Sequence, residues 1–233
     1  MALTPQNDEA FLREVDEELR RDQLGSFWRR YGRLLIALVI VGLAVFGGFL
    51  WWQADKQKKA GLASEDFNGA LQAIGQGRDA DANRTLKPLA DSKTPGYRGA
   101  ARLALAARAM EKGDAAGAAA SYANIAADES LSKPIRDLAL VRGTSAVFDT
   151  LKPEIVIERL KPLAIAGEPW FGSAGEMTAV AWLKLNKPEK AASMFAALAA
   201  DKQVPDSIRA RATRIASALG IDTAGKQAAS GEE

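Results

Sequence analysis

Residues Leu34 to Trp52 read LLIALVIVGLAVFGGFLWW, 19 residues without a charge. As a helix this run extends about 28 Å, close to the hydrocarbon thickness of a bilayer at about 30 Å. Twelve of the 19 are Leu, Ile, Val or Phe, which together favour insertion by about 4 to 7 kcal/mol with nothing charged to oppose them. A core helix of a soluble domain carries a polar stripe, and this run has none. A cleavable signal starts within a few residues of Met1 and has a shorter apolar region, whereas 33 residues precede this one. Trp28 and Tyr31 on one side and Trp51 and Trp52 on the other are the aromatics that settle at a membrane–water interface. The run therefore predicts one transmembrane helix over 34–52.

Orientation follows from the flanking cations. Arg13, Arg20, Arg21, Arg29, Arg30 and Arg33 come before the span, and only Lys56, Lys58 and Lys59 follow within twenty residues. Six against three places the N-terminus in the cytoplasm and the larger C-terminal part across the membrane. Within the span, Ala44 and Gly48, with Gly47 beside them, form one small-xxx-small pair. Such a pair is either a close-packing face for another membrane helix or ordinary membrane-helix composition. Ahead of the span, Phe11, Val15 and Leu19 recur at i, i+4 and i+8 among acids and arginines. This predicts an amphipathic helix from Asn7 to Arg21, within a cytoplasmic segment over 1–33, that docks a partner or lies along the lipid surface.

Two missing residue types narrow the chemistry. With no cysteine and no histidine, the chain has no thiolate nucleophile, no Cys-ligated zinc and no imidazole base or ligand. A net charge of +2 supplies no global attraction to nucleic acid.

Beyond the span the chain repeats. LKPLA occurs at Leu86–Ala90 and again at Leu160–Ala164. The sets Ala82, Leu86, Leu89, Ala90; Ala118, Tyr122, Ile125, Ala126; Val156, Leu160, Leu163, Ala164; and Ala191, Phe195, Leu198, Ala199 share the spacing 0, 4, 7, 8, which is one face of a helix. The large residue recurs at 86, 122, 160 and 195. Ahead of each set lies a second helical stretch, marked by Ala70 and Ala73, Ala106 and Ala109, Thr144 and Val147, and Ala179 and Trp182; only the third lacks small residues. Asp79, Asp114, Lys152–Pro153 and Lys187–Pro188 open the second helices as N-caps or first-turn prolines. Pro95, Pro134, Pro169 and Pro205 punctuate the ends of the units.

A period near 34 residues built from small, large and proline positions matches the tetratricopeptide pattern. Small residues let paired helices approach, and the large residue fills the gap to the next pair. Ile208, Ala212, Ile215 and Leu219, interleaved with arginines, make a capping helix with one polar face. Pro88 and Pro162 fall inside two of the second helices and predict that these kink or end early. The fold class expected is all-α: a transmembrane helix, then a tetratricopeptide-like helical-hairpin solenoid. Its parts are a cytoplasmic segment over 1–33, the span over 34–52, a linker or helix extension over 53–63, repeats over 64–220 and a disordered tail over 221–233.

This layout resembles the ancillary subunit family of the bacterial Sec translocon, and the stretch FLREVDEELRRDQLGSFWRRYGRLL carries the most distinctive part of the likeness. The resemblance implies a single-pass inner-membrane protein with a periplasmic repeat domain. Its implied partners are translocon subunits, periplasmic chaperones and membrane lipid, and it implies no catalytic residue and no cofactor. Neither nucleic acid nor a small-molecule substrate is expected.

Three patterns call up other chemistry. Ser130-Leu131-Ser132-Lys133 satisfies S-x-x-K, as in penicillin-binding serine hydrolases, but the companion S-D-N and K-T-G strings are missing. Asp79 and Asp81 lack the rest of a calcium loop. Trp170 and Phe171, adjacent after Pro169, cannot both face one core stripe, so they are either core or a partner-facing aromatic beside a packed one. The function expected is a non-enzymatic, membrane-anchored scaffold assisting translocation or folding in the periplasm. A scaffold for cell-wall or division machinery is the alternative, and a serine hydrolase a distant one.

Overall fold

A computed structural model describes the backbone of residues 6–221 and the side chains of residues 30–221. All regular structure among the described residues is helical. The chain divides into two compact units, the first ending at Lys59 and the second beginning at Ala60.

The described part of the first unit lies within α1, Gln6–Gly75, 70 residues long. No proline occurs between Pro5 and Pro88, so nothing removes a donor from its ladder. Through the apolar run every polar backbone group is thus satisfied inside the helix, the condition for crossing hydrocarbon. No part of the most apolar window, mean hydropathy 2.7, is buried. Val45 is 69% exposed and Leu43 65%. A continuous apolar surface of this kind is foreign to water and suits a lipid environment. Residues 53–63 are helical.

In the second unit α2 (Asp79–Leu89), α3 (Pro95–Glu111), α4 (Ala115–Ala127), α5 (Lys133–Ala146), α6 (Pro153–Leu160), α7 (Phe171–Lys184), α8 (Pro188–Ala200) and α9 (Asp206–Ala218) follow one another. The last turns of α1 pair with α2 through Ala63, Ala70, Leu86 and Leu89, with Phe67 and Ile74 alongside. The pairs α3–α4, α5–α6 and α7–α8 repeat this hairpin, and α9 closes the stack. Leu86, Tyr122, Leu160 and Phe195 each sit in a different one of four core clusters. All four are buried, as are the small residues four positions before them, Ala82, Ala118, Val156 and Ala191. The 0, 4, 7, 8 pattern is therefore the packing pattern of the solenoid.

Both internal prolines act by ending helices early. α2 stops one residue after Pro88 and α6 two residues before Pro162, at 11 and 8 residues against 13 for α4 and α8. Leu163 nonetheless keeps its place in the core, 2% exposed, because a Leu163 N–H to Leu160 carbonyl bond of 2.9 Å carries the turn onward.

Three first helices and the closing α9 end in a recurring turn. Gly77 (φ 69°), Gly113 (φ 83°), Asn186 (φ 54°) and Gly220 (φ 88°) are left-handed. After each, an N–H reaches back five residues: Arg78 to Ala73, Asp114 to Ala109, Lys187 to Trp182 and Ile221 to Ala216, at 2.8 to 3.0 Å. This is the Schellman closure, which satisfies a last carbonyl and needs a residue tolerant of positive φ. The third pair lacks the motif; α5 leaves through Val147 into turns as far as Leu151.

The small residue missing from the third unit at 144 and 147 stands one position earlier. A Cβ on Gly143 would lie 2.8 Å from the Tyr122 Cβ, so α5 meets α4 of the preceding pair at this glycine. Thr144, 1% exposed, stays in the core because its hydroxyl donates to the Leu140 carbonyl at 2.8 Å.

Candidate interaction surfaces

Asp79 is the first helical residue of α2 rather than its N-cap, a position that falls to Arg78 without a side-chain bond. The left-handed turn at Gly77 sets that register. Asp79 instead receives the Arg108 guanidinium at 2.5 Å and the Lys112 ammonium at 3.7 Å. Arg108 is 4% exposed on α3 and also donates to the Asn83 side chain at 3.1 Å. Its hydrogen bond holds the Asp79 carboxyl below the ordinary range. A buried guanidinium tying α2 to α3 is a structural clamp, and Asp81 is taken up by Arg78 and Arg84 at 3.5 and 3.3 Å. No group of metal-ligating side chains forms among the described residues. Asp114 does cap α4, accepting from the Gly117 N–H at 2.8 Å.

The S-x-x-K string is not assembled as a site. Ser130 donates to Asp128 and accepts from Arg98 at 2.8 Å. Lys133 turns away to Asp137 at 2.7 Å and Glu168 at 3.7 Å. The Asp137 hydrogen bond, chiefly, raises the Lys133 pKa, opposite to what a lysine general base requires. Two of the three arginines of α9 are likewise engaged: Arg209 pairs with Asp206, and Arg211 meets the Glu176 carboxylate through two bonds of 2.8 and 2.9 Å.

Trp170 and Phe171 both pack, in different clusters. Phe171, 2% exposed, belongs with Phe195 and Leu198. Trp170, at the N-cap position of α7, lies half-buried against the cluster of Val156, Leu160 and Ala174. The helix start splits the two rings between successive units, which answers how adjacent aromatics can both be covered. Phe171 also borders an open groove of about 490 Å³ with Ala164, Ala166, Lys190 and Met194. Groove and ring thus meet, but on the Phe171 side.

On the apolar helix, Gly47 and Gly48 have open space where a Cβ would project, so nothing among the described residues covers the face they share with Ala44. Phe11, Val15 and Leu19 lie within α1, but their side chains fall outside the described residues, as do residues 222–233 of the tail expected over 221–233. Ile221 packs partly against the last core cluster.

Hairpins stacked at this period, with the buried large and small positions in register, define the architecture, and comparison with known families agrees. The tetratricopeptide repeat-like domain family matches residues 25–203. The chain belongs to this family. Among curated proteins, the ancillary SecYEG translocon subunit of Haemophilus influenzae is 27% identical over 135 residues, which is 58% of this chain. The match takes in 65% of that relative, just under two thirds of its length. The resemblance to ancillary translocon subunits is borne out by this relative. No solved structure matches the chain. The match of the tetratricopeptide-like family begins at residue 25, ahead of the apolar run, so the apolar part of the long helix belongs to the matched region together with the hairpins.

Proposed function

We propose that this protein is a non-catalytic, membrane-anchored interaction scaffold that serves as an ancillary subunit of the Sec translocon. The observation that carries the reading is the joining of two features in one chain. An exposed apolar helix fit for a bilayer is followed by a tetratricopeptide-like stack, and a relative with the translocon name shares much of the length. Solenoids of this class present extended surfaces to other proteins.

In this reading the protein crosses the inner membrane once over 34–52, with 1–33 cytoplasmic and the repeats over 64–220 periplasmic. The uncovered face of Ala44, Gly47 and Gly48 is the contact for a channel helix. Small residues there let two backbones approach, where packing rather than hydrophobicity drives association. The stripe of Phe11, Val15 and Leu19 adds a cytoplasmic contact. The repeat domain receives translocating chains or their periplasmic chaperones, with the groove beside Phe171 as one contact.

Purification of the full chain in a mild detergent, with mass spectrometry of what accompanies it, tests the proposal. Translocon channel subunits at near-stoichiometric yield are expected. Their absence, with cell-wall synthases in their place, overturns it in favour of an envelope scaffold.

A further inference from the structure

The span ends in an aromatic–lysine collar. Trp51 and Trp52 are 74% and 51% exposed. The Lys56 ammonium lies 3.5 Å from the centre of the Trp52 ring, one helical turn nearer the span. Lys58 shares a face with Trp51, seven residues before it. Asp55, the one acid here, is taken by Lys59 at 2.6 Å. Lys56 and Lys58 are left without a carboxylate partner among the described residues.

Direction matters as much as charge. Side chains of a helix tilt toward its N-terminus, so lysines that follow a span reach back toward the lipid. Lys56 already does so over Trp52. Indole rings settle at headgroup depth, and an ammonium resting on such a ring is held at that depth too. Trp51 and Trp52 are about 100° apart around the helix, so the two lysines address headgroups on two sides.

We infer that Lys56, placed by Trp52, and Lys58, on the helix face of Trp51, form a binding collar for the phosphates of anionic phospholipids in the leaflet nearest the repeat domain. The inference rests on the reading of 34–52 as a membrane span. It adds the lipid class and the residues that select it. The occupant is a lipid headgroup rather than a free anion, because the collar is continuous with the apolar surface and the acyl chains share that contact. A polybasic segment at a membrane surface gains about five-fold in anionic-lipid affinity per lysine.

The full chain is reconstituted in phosphatidylcholine vesicles containing phosphatidylglycerol. Its preference for spin-labelled phosphatidylglycerol over labelled phosphatidylcholine is then measured. The N-terminal arginines are common to all variants, so differences report the collar. Lys56→Gln/Lys58→Gln is expected to lose several-fold of the wild-type preference. Trp52→Leu should lose part of it with the charges intact, and Asp55→Asn/Lys59→Gln should keep it. Equal preference in wild type and Lys56→Gln/Lys58→Gln overturns the inference. So does erasure of the difference by inorganic phosphate, which would make the site one for free anions. Extraction of the wild-type protein from the vesicles by alkaline carbonate would instead overturn the span reading, and the collar with it.

Discussion

Single residues decide the joints of the stack. Gly113 carries φ 83° at the end of α3, where any L side chain meets the following carbonyl. Gly113→Ala should therefore destabilise the protein by about 1 kcal/mol, read from the urea midpoint. Asn186, at the matching turn after α7 with φ 54°, should accept glycine without loss. Asp79 makes a pH-dependent contribution. Its carboxyl titrates below the ordinary 3.8 because of Arg108. Its contribution is thus complete above that value and lost as pH falls through the lowered native one. The gap in urea midpoint between wild type and Asp79→Asn should persist at neutral pH and close in strong acid. A gap that is unchanged in acid would mean that the clamp is not ionic. Lys133→Ala should leave partner association intact, since Lys133 is occupied by Asp137 and Glu168.

Among the elements, the second helix of each pair holds the core residue that the solenoid is built around. Phe195 on α8 is completely buried and packs with Phe171 and Leu198. Phe195→Ala should cost about 3–5 kcal/mol in chemical denaturation. These helices were legible in the sequence because one apolar face at 0, 4, 7, 8 is a geometric consequence of 3.6 residues per turn. The early ends at Pro88 and Pro162 were legible for an equally local reason, the missing N–H. Gly143 was not, because its role depends on how closely Tyr122 of another helix approaches. Nor was the Arg108–Asp79 clamp, since spacing cannot tell which arginine is buried or which acid meets it. The shared left-handed turn was hidden because Asn186 replaces glycine in one copy and the third pair omits it. For Trp170 and Phe171 the sequence left core packing and a partner-facing ring both open, because spacing cannot show that the two rings pack into different cores.

For the molecule as a whole, the claim is that one membrane-fit helix and one repeat stack make a tethered scaffold. Four hairpins exceed the three or so units that a repeat core needs. A fragment beginning at Ala60 should therefore remain soluble, give a helical circular dichroism spectrum and melt cooperatively. A non-cooperative melt would mean that the stack depends on its anchor. Everything proposed about clients requires the repeats to stand across the membrane from the N-terminal arginines. Paired reporters fused after Ile221 measure this directly, one active only outside the cytoplasm and one only within it. Activity of the first and silence of the second are expected. Activity of the cytoplasmic reporter alone would contradict the orientation and, with it, the periplasmic role at the translocon.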